Sequence, residues 1–334
     1  MSDLIEIAQK LVAPGKGILA ADESFPTIEK RFEKIGVESN EDTRRSYREI
    51  LLTAGGVSKF ISGVILFDET IRQETQDGKP LPQVLSDMGV YPGIKVDKGK
   101  VDMPDHPGEK ITQGLEDLSE RLKEYVGLGA RFTKWRVVFS IGEGLPTDDC
   151  IDANSESLAK FASLSQQEGL VPVVEPEVLM DGGHDIKRCR EVTYQVLKKV
   201  FVKLVEQKVE LFQMLLKPNM VIAGKDDPDK ATPEDVAKNT IACLREAIPP
   251  EVPGVVFLSG GQSPQEATAN LNAINILNGV PWELSFSFGR ALQAPVLEAW
   301  SGNNDNKDAA QKALYKRARL NSLARKGEYR GEGE

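Results

Sequence analysis

The chain has 334 residues, 40% of them hydrophobic and 28% charged, with a net charge of −9, a composition that folds rather than remaining a disordered polymer. Acids and bases are interspersed, which excludes the concentrated basic face of a nucleic-acid-binding surface but leaves room for a basic pocket inside an acidic whole. No apolar run approaches the roughly 18 residues that cross a bilayer, and acids stand near the N-terminus where a targeting segment needs bases.

Taken in chain order, short β-prone apolar runs alternate with longer stretches of helical periodicity. The runs cover 16–22, 63–68, 93–97, 130–138, 170–177, 212–218, 255–261 and 283–290. Helices are predicted between them at 112–125, 155–168, 186–208, 232–247 and 263–277. Two open on strong start signals, Thr232-Pro-Glu-Asp and Ser263-Pro-Gln-Glu, each with proline at the first helical position. Eight strand–helix units without a partner domain predict one α/β domain over residues 1–334, a (β/α)8 TIM barrel, with an open doubly wound sheet as the alternative. A further helical segment, about 305–324, follows the eighth run, and about 325–334 reads as a mobile tail.

Ionisable and polar residues gather toward the C-terminal ends of these runs: Asp22 and Asp68, Lys95 and Asp97, Lys134 and Arg136, Glu175 and Glu177, then Lys217, Ser259, Ser287 and Arg290. Residues two apart on a strand share a face, so three of these runs place two charges each on one face. Charge inside a core is costly unless paired or used, and barrel active sites lie at that mouth. The alternative is a solvated rim of ordinary salt bridges. Ser259-Gly260-Gly261 and Gly289-Arg290 follow the seventh and eighth runs. There, exposed backbone N–H groups and an arginine fork suit phosphate. Lys30 and Arg31, soon after the first run, form a second basic cluster.

Lys217 is the most informative position. It closes the apolar run Met214-Leu215-Leu216 and precedes Pro218. Desolvation there favours the neutral, nucleophilic amine; a structural ion pair with Glu175 or Glu177 is the alternative. The three cysteines Cys150, Cys189 and Cys243 are too scattered for a disulfide framework and suit a reducing cytoplasm. With only His106 and His184 present, a metal site built on several imidazoles is not available.

The motifs Gly17-Ile-Leu-Ala-Ala-Asp-Glu-Ser24, Gly93-Ile-Lys-Val-Asp-Lys-Gly99, Lys134-Trp-Arg136, Val174-Glu-Pro-Glu177, Leu215-Leu-Lys-Pro-Asn-Met220, Phe257-Leu-Ser-Gly-Gly-Gln-Ser263 and Phe286-Ser-Phe-Gly-Arg-Ala-Leu292 resemble class I fructose-bisphosphate aldolase. They run in family order from about residue 10 to 327. The resemblance implies a metal-free cytoplasmic enzyme, usually a homotetramer, that cleaves a phosphorylated sugar through a lysine Schiff base. It implies roles too: Lys217 forms the imine, Glu175 is the general acid/base, Asp22 takes the C4 hydroxyl proton, Lys134 tunes the charge beside the imine and Glu177 holds the lysines. Lys95 and Arg136 would line the pocket. Ser259, Gly260, Gly289 and Arg290 would receive one phosphate, and Ser24, Thr27 and Arg31 the other. Sedoheptulose bisphosphate or fructose 1-phosphate as substrate, or a non-catalytic scaffold role, are the alternatives.

The chain departs from the family pattern at Ser24-Phe-Pro-Thr27, which is expected to stiffen a phosphate-holding loop, at Leu211-Phe-Gln-Met214 beside the lysine, and at Phe288, where tyrosine is common. It also ends in Gly-Glu-Gly-Glu rather than in the tyrosine that assists proton transfer in vertebrate and plant members.

Overall fold

The computed structural model describes residues 2–277 and 279–333 and has ten strands among them, eight on the β-prone runs. They are β1 (Gly17–Ala21), β2 (Ile61–Leu66), β3 (Tyr91–Lys95), β4 (Lys100–Asp102), β5 (Lys110–Thr112), β6 (Phe132–Phe139), β7 (Val171–Val178), β8 (Leu215–Leu216), β9 (Gly254–Phe257) and β10 (Glu283–Phe288). Eight of them close a ring in the order β1-β10-β9-β8-β7-β6-β3-β2, with every neighbouring pair parallel. The fold is therefore the predicted TIM barrel, and the open sheet is excluded by the β1–β10 ladder that joins Ile18 to Ser287. The remaining strands, β4 and β5, form an antiparallel hairpin between β3 and β6.

Side-chain alternation along the strands sorts the apolar residues into two cores. The inward cluster contains Ile18, Ala20, Ile65, Phe132, Val171, Val173, Leu215 and Val256, capped at the N-terminal end of the barrel by Leu4, Ile7, Ala8 and Leu11 of the helix Ser2–Leu11. The outward residues, such as Leu19, Val64, Ile94, Trp135, Val174 and Phe257, pack in the larger cluster beneath the surrounding helices. Gly93 is required here by close approach, because a Cβ on it would overlap the Phe132 ring that fills the barrel floor.

The helices end where their caps place them. Thr232 accepts from the Asp235 N–H at 3.2 Å, and the Asp235 side chain accepts from the Thr232 N–H, a reciprocal box that starts Pro233–Ala247. The helix predicted at 112–125 begins later, at Leu118, because Thr112 is the last residue of the hairpin. The extra C-terminal helix is Lys307–Arg325. The segment after it makes contacts with the helices. The Tyr329 N–H donates to Asn272 Oδ1 at 3.0 Å, and Glu332 accepts from the buried Arg317 at 2.6 and 2.7 Å. A buried guanidinium needs a counter-charge, and the tail supplies it.

Candidate active site

The polar layer begins two residues beyond the apolar one, on the same strands and the same face. Phe132 is followed by Lys134 and Arg136, Val173 by Glu175 and Glu177, Leu215 by Lys217, and Ala20 by Asp22. Every residue singled out from the sequence for catalysis or substrate contact lines one cavity of about 920 Å³ at this C-terminal mouth.

Lys217 lies one residue past β8, and its N–H extends the ladder by donating to the Val174 carbonyl at 2.8 Å. Its side chain is buried, and Nζ lies 3.1 Å from Glu175 Oε1. The other carboxylate oxygen, Oε2, is 3.3 Å from Lys134 Nζ, and Lys134 in turn bonds Asp22 Oδ2 at 2.6 Å. Glu175 therefore bridges two buried amines, and Lys134 bridges two carboxylates. Among the described residues the buried Glu175 Oε2 accepts no well-directed hydrogen bond. The ion pair foreseen as the alternative for Lys217 is present, inside the same constellation that the catalytic reading requires.

The charges set one another. Burial pushes the Asp22 carboxyl up, but Lys134 and then Lys217 outweigh it and hold it well below the usual carboxylate range. Burial likewise pushes Lys134 down, and Asp22 and Glu175 more than reverse it, so its ammonium is held charged above the ordinary lysine range. Burial would also lower Arg136, and Glu177 raises it. The Arg136 Nε donates to Glu177 Oε2 at 2.6 Å, so Glu177, expected to hold the lysines, holds this arginine instead. The reason is register: Glu177 sits two residues nearer the rim than Glu175, on the same face of β7.

Lys95 donates to the Asp97 carbonyl and pairs with its carboxylate, both at 2.6 Å. Asp97 also accepts from the Gly99 N–H at 3.2 Å and the Arg136 N–H at 3.3 Å, which ties the start of the hairpin to β6. On the far side, Gly260 and Gly261 adopt φ of 44° and 86°, left-handed values that favour glycine. The turn is closed by the Gln262 N–H donating to the Ser259 carbonyl at 2.9 Å. Gly289 and Arg290 begin the helix Arg290–Trp300. Ser24, Phe25, Pro26 and Thr27 form the start of the helix Phe25–Glu33, so the segment expected to be a stiffened loop is a helix N-terminus with proline in its first turn. Phe288 is buried in the outward core and does not line the cavity.

Sequence reasoning missed Glu23. Its buried carboxylate pairs with Arg31, with Arg48 Nη1 at 2.5 Å and with Gln293 Nε2 at 2.7 Å. Gln293 also donates to the Ala20 carbonyl at 2.6 Å and accepts from Tyr47 at 3.0 Å. Burial pushes Glu23 up, and Arg31 and Arg48 bring it below the ordinary value. The only sequence signal was its place beside Asp22 at the end of a strand. Asn219, after Lys217, was also missed; its Oδ1 accepts from the Val178 N–H at 2.9 Å and joins β7 to the lysine segment.

Together the ring and its mouth define a TIM barrel that holds two buried amines among carboxylates at its C-terminal end. A family model described as class-I fructose-bisphosphate aldolase of the glycolytic type matches residues 3–334. The protein named "Probable fructose-bisphosphate aldolase class 1" in Xanthomonas campestris pv. campestris is 51% identical over 332 residues, covering 99% of each chain. "Fructose-bisphosphate aldolase 4, cytosolic" of Arabidopsis thaliana is also 51% identical, covering 99% of this chain and 85% of its own. Among solved structures, Plasmodium falciparum fructose-bisphosphate aldolase in complex with TRAP and a small-molecule inhibitor superposes with a TM-score of 0.98 at 52% identity, covering 99% of this chain and 96% of that one. The chain belongs to the class I fructose-bisphosphate aldolase family and is a carbon–carbon lyase acting on fructose bisphosphate. No described helix is long and apolar enough to cross a membrane.

Proposed function

We propose that the chain reversibly cleaves fructose 1,6-bisphosphate to dihydroxyacetone phosphate and glyceraldehyde 3-phosphate through a Schiff base on Lys217, in glycolysis and gluconeogenesis. The observation that carries this reading is the buried Lys217–Glu175 contact of 3.1 Å, a nucleophile with a proton carrier in hydrogen-bond reach. The Lys217 amine attacks the C2 carbonyl, and Glu175 passes a proton to the carbinolamine hydroxyl, which leaves as water. The protonated imine then accepts the electron pair of the C3–C4 bond as Asp22 removes the C4 hydroxyl proton and glyceraldehyde 3-phosphate departs. Proton return to C3 and hydrolysis of the imine release dihydroxyacetone phosphate and restore the amine. Asp22 is suited to the proton-accepting role because Lys134 keeps it ionised, and Lys134 supplies fixed positive charge beside the reacting centre.

One phosphate is assigned to Ser259, Gly260, Gly289 and Arg290, and the other to Ser24, Thr27 and Arg31, with Lys95 and Arg136 along the sugar between them. The chain works as one barrel domain, as a homotetramer in the cytoplasm, without metal or cofactor; the cytosolic designation of the Arabidopsis relative supports the compartment. Borohydride reduction in the presence of dihydroxyacetone phosphate should attach the three-carbon unit to the peptide containing Lys217, and EDTA should leave cleavage intact. An unmodified Lys217 together with activity lost on chelation overturns the mechanism. Rates on fructose 1,6-bisphosphate, fructose 1-phosphate and sedoheptulose bisphosphate then rank the substrates.

A further inference from the structure

The cavity is lined by more basic than acidic side chains in a chain whose net charge is negative. Most of those cations are already matched. Lys217, Lys134, Arg136, Lys95 and Arg31 have the carboxylate partners described above, and at the rim Arg72 pairs with Asp68 while Lys98 and Arg121 share Asp117. Among the described residues, two cavity-lining cations have no carboxylate oxygen within 4.0 Å: Arg290 and Lys100. Arg290 follows β10 and stands with the Ser259–Gly260 turn. Lys100 opens the hairpin after β3, three places away around the ring.

The hairpin fixes Lys100 in place. Its register partner on β5 is Thr112, whose hydroxyl donates to the Arg136 carbonyl at 2.8 Å, and Asp97 bonds both the Gly99 and Arg136 N–H groups. Lys100 is thereby held on the Arg136 side of the mouth. Partial desolvation lowers its amine and the Arg136 guanidinium lowers it further, while Glu177 and Asp181, beyond 4.0 Å, pull weakly the other way. A cation beside another cation, with no carboxylate in ion-pair contact, is stabilised when an anion arrives.

We infer that Lys100 is a substrate-binding residue that contacts the phosphate remote from the Ser259–Arg290 turn and so contributes to selectivity for a bisphosphate over a monophosphate. This deepens the bisphosphate reading and rests on it. A lysine acts on phosphate as a mobile point charge, so it adds attraction without fixing the geometry of the reacting carbons. The effect belongs in KM rather than kcat.

The test uses the full-length enzyme with Lys100→Met and the charge-retaining Lys100→Arg, assayed on fructose 1,6-bisphosphate and on fructose 1-phosphate, which lacks the remote phosphate. Lys100→Met should raise KM for the bisphosphate by about five- to tenfold, with kcat and the monophosphate kcat/KM changed by less than about twofold. Lys100→Arg should recover most of the loss. An unchanged bisphosphate KM, or equal losses on both substrates, overturns the inference. Borohydride trapping is run on the same proteins. A Lys217 that is not trapped in the parent overturns the Schiff-base reading and this one with it, whereas normal trapping with an unchanged substrate ratio overturns Lys100 alone.

Discussion

Phe132 and Lys134 stand two residues apart on β6 and project into the same barrel, yet they belong to different environments. Around Phe132 the ring is filled by Ile18, Val171, Val173 and Leu215; around Lys134 it is filled by Asp22 and Glu175. The apolar layer is close-packed and gains from water being excluded. The charged layer loses solvation, and it is tolerable only because each charge meets an opposite one at short range. A single period-2 step along a strand thus crosses from packing to chemistry, and the floor that stabilises the ring also provides the dry base on which the charges act on one another strongly.

That contrast can be broken from either side. Glu175→Gln keeps the shape but removes the proposed proton carrier and the counter-charge between Lys217 and Lys134, so kcat should fall by about 10²- to 10⁴-fold and the thermal midpoint should fall with it; a kcat loss below tenfold removes Glu175 from the proton path. Phe132→Ala empties the floor and should cost about 3–5 kcal/mol of stability in denaturant titration, with activity surviving in whatever fraction stays folded. A cost under 1 kcal/mol shows that the neighbouring layer collapses into the space. The smallest effect is a pH dependence. Asp22 is held below its ordinary value in the folded chain, so the stability it contributes is present above the unfolded value of about 3.9 and is lost as pH falls through the folded one. The parent should therefore lose stability relative to Asp22→Asn as pH drops below about 4. A difference between the two that does not vary with pH shows that Asp22 is not held ionised.

The barrel was legible because its strands are buried on both faces and read as apolar runs, and because polar residues broke those runs at a consistent end. Each of the eight predicted runs overlaps an observed strand. Lys217, Glu175, Lys134 and Asp22 followed from strand-end position, and the geometry that brings them together followed from period-2 alternation. The hairpin was not legible: its strands are three residues each, too short for the alternation that marks a strand. Lys100 was therefore not singled out. The Glu23 cluster was hidden for another reason. Its partners Arg48 and Gln293 lie 25 and 270 residues away, and no local pattern reports a contact made only when the first and last strands meet.

Arg325, in the last helix, reaches back to bond the carbonyls of Val12, Ala13 and Lys16, and bonds Glu283 at 2.8 Å. Four groups near the two ends of the chain are thus stitched by one guanidinium at the base of the barrel. On the ribosome this imposes a schedule. The first strand, with Asp22 at its tip, emerges early but has no β10 partner and no Arg325 anchor until residues 283–288 and then residue 325 have been made. Local helices form as they appear; the ring, and with it the pairing of Asp22 to Lys134, waits for β10 to close it.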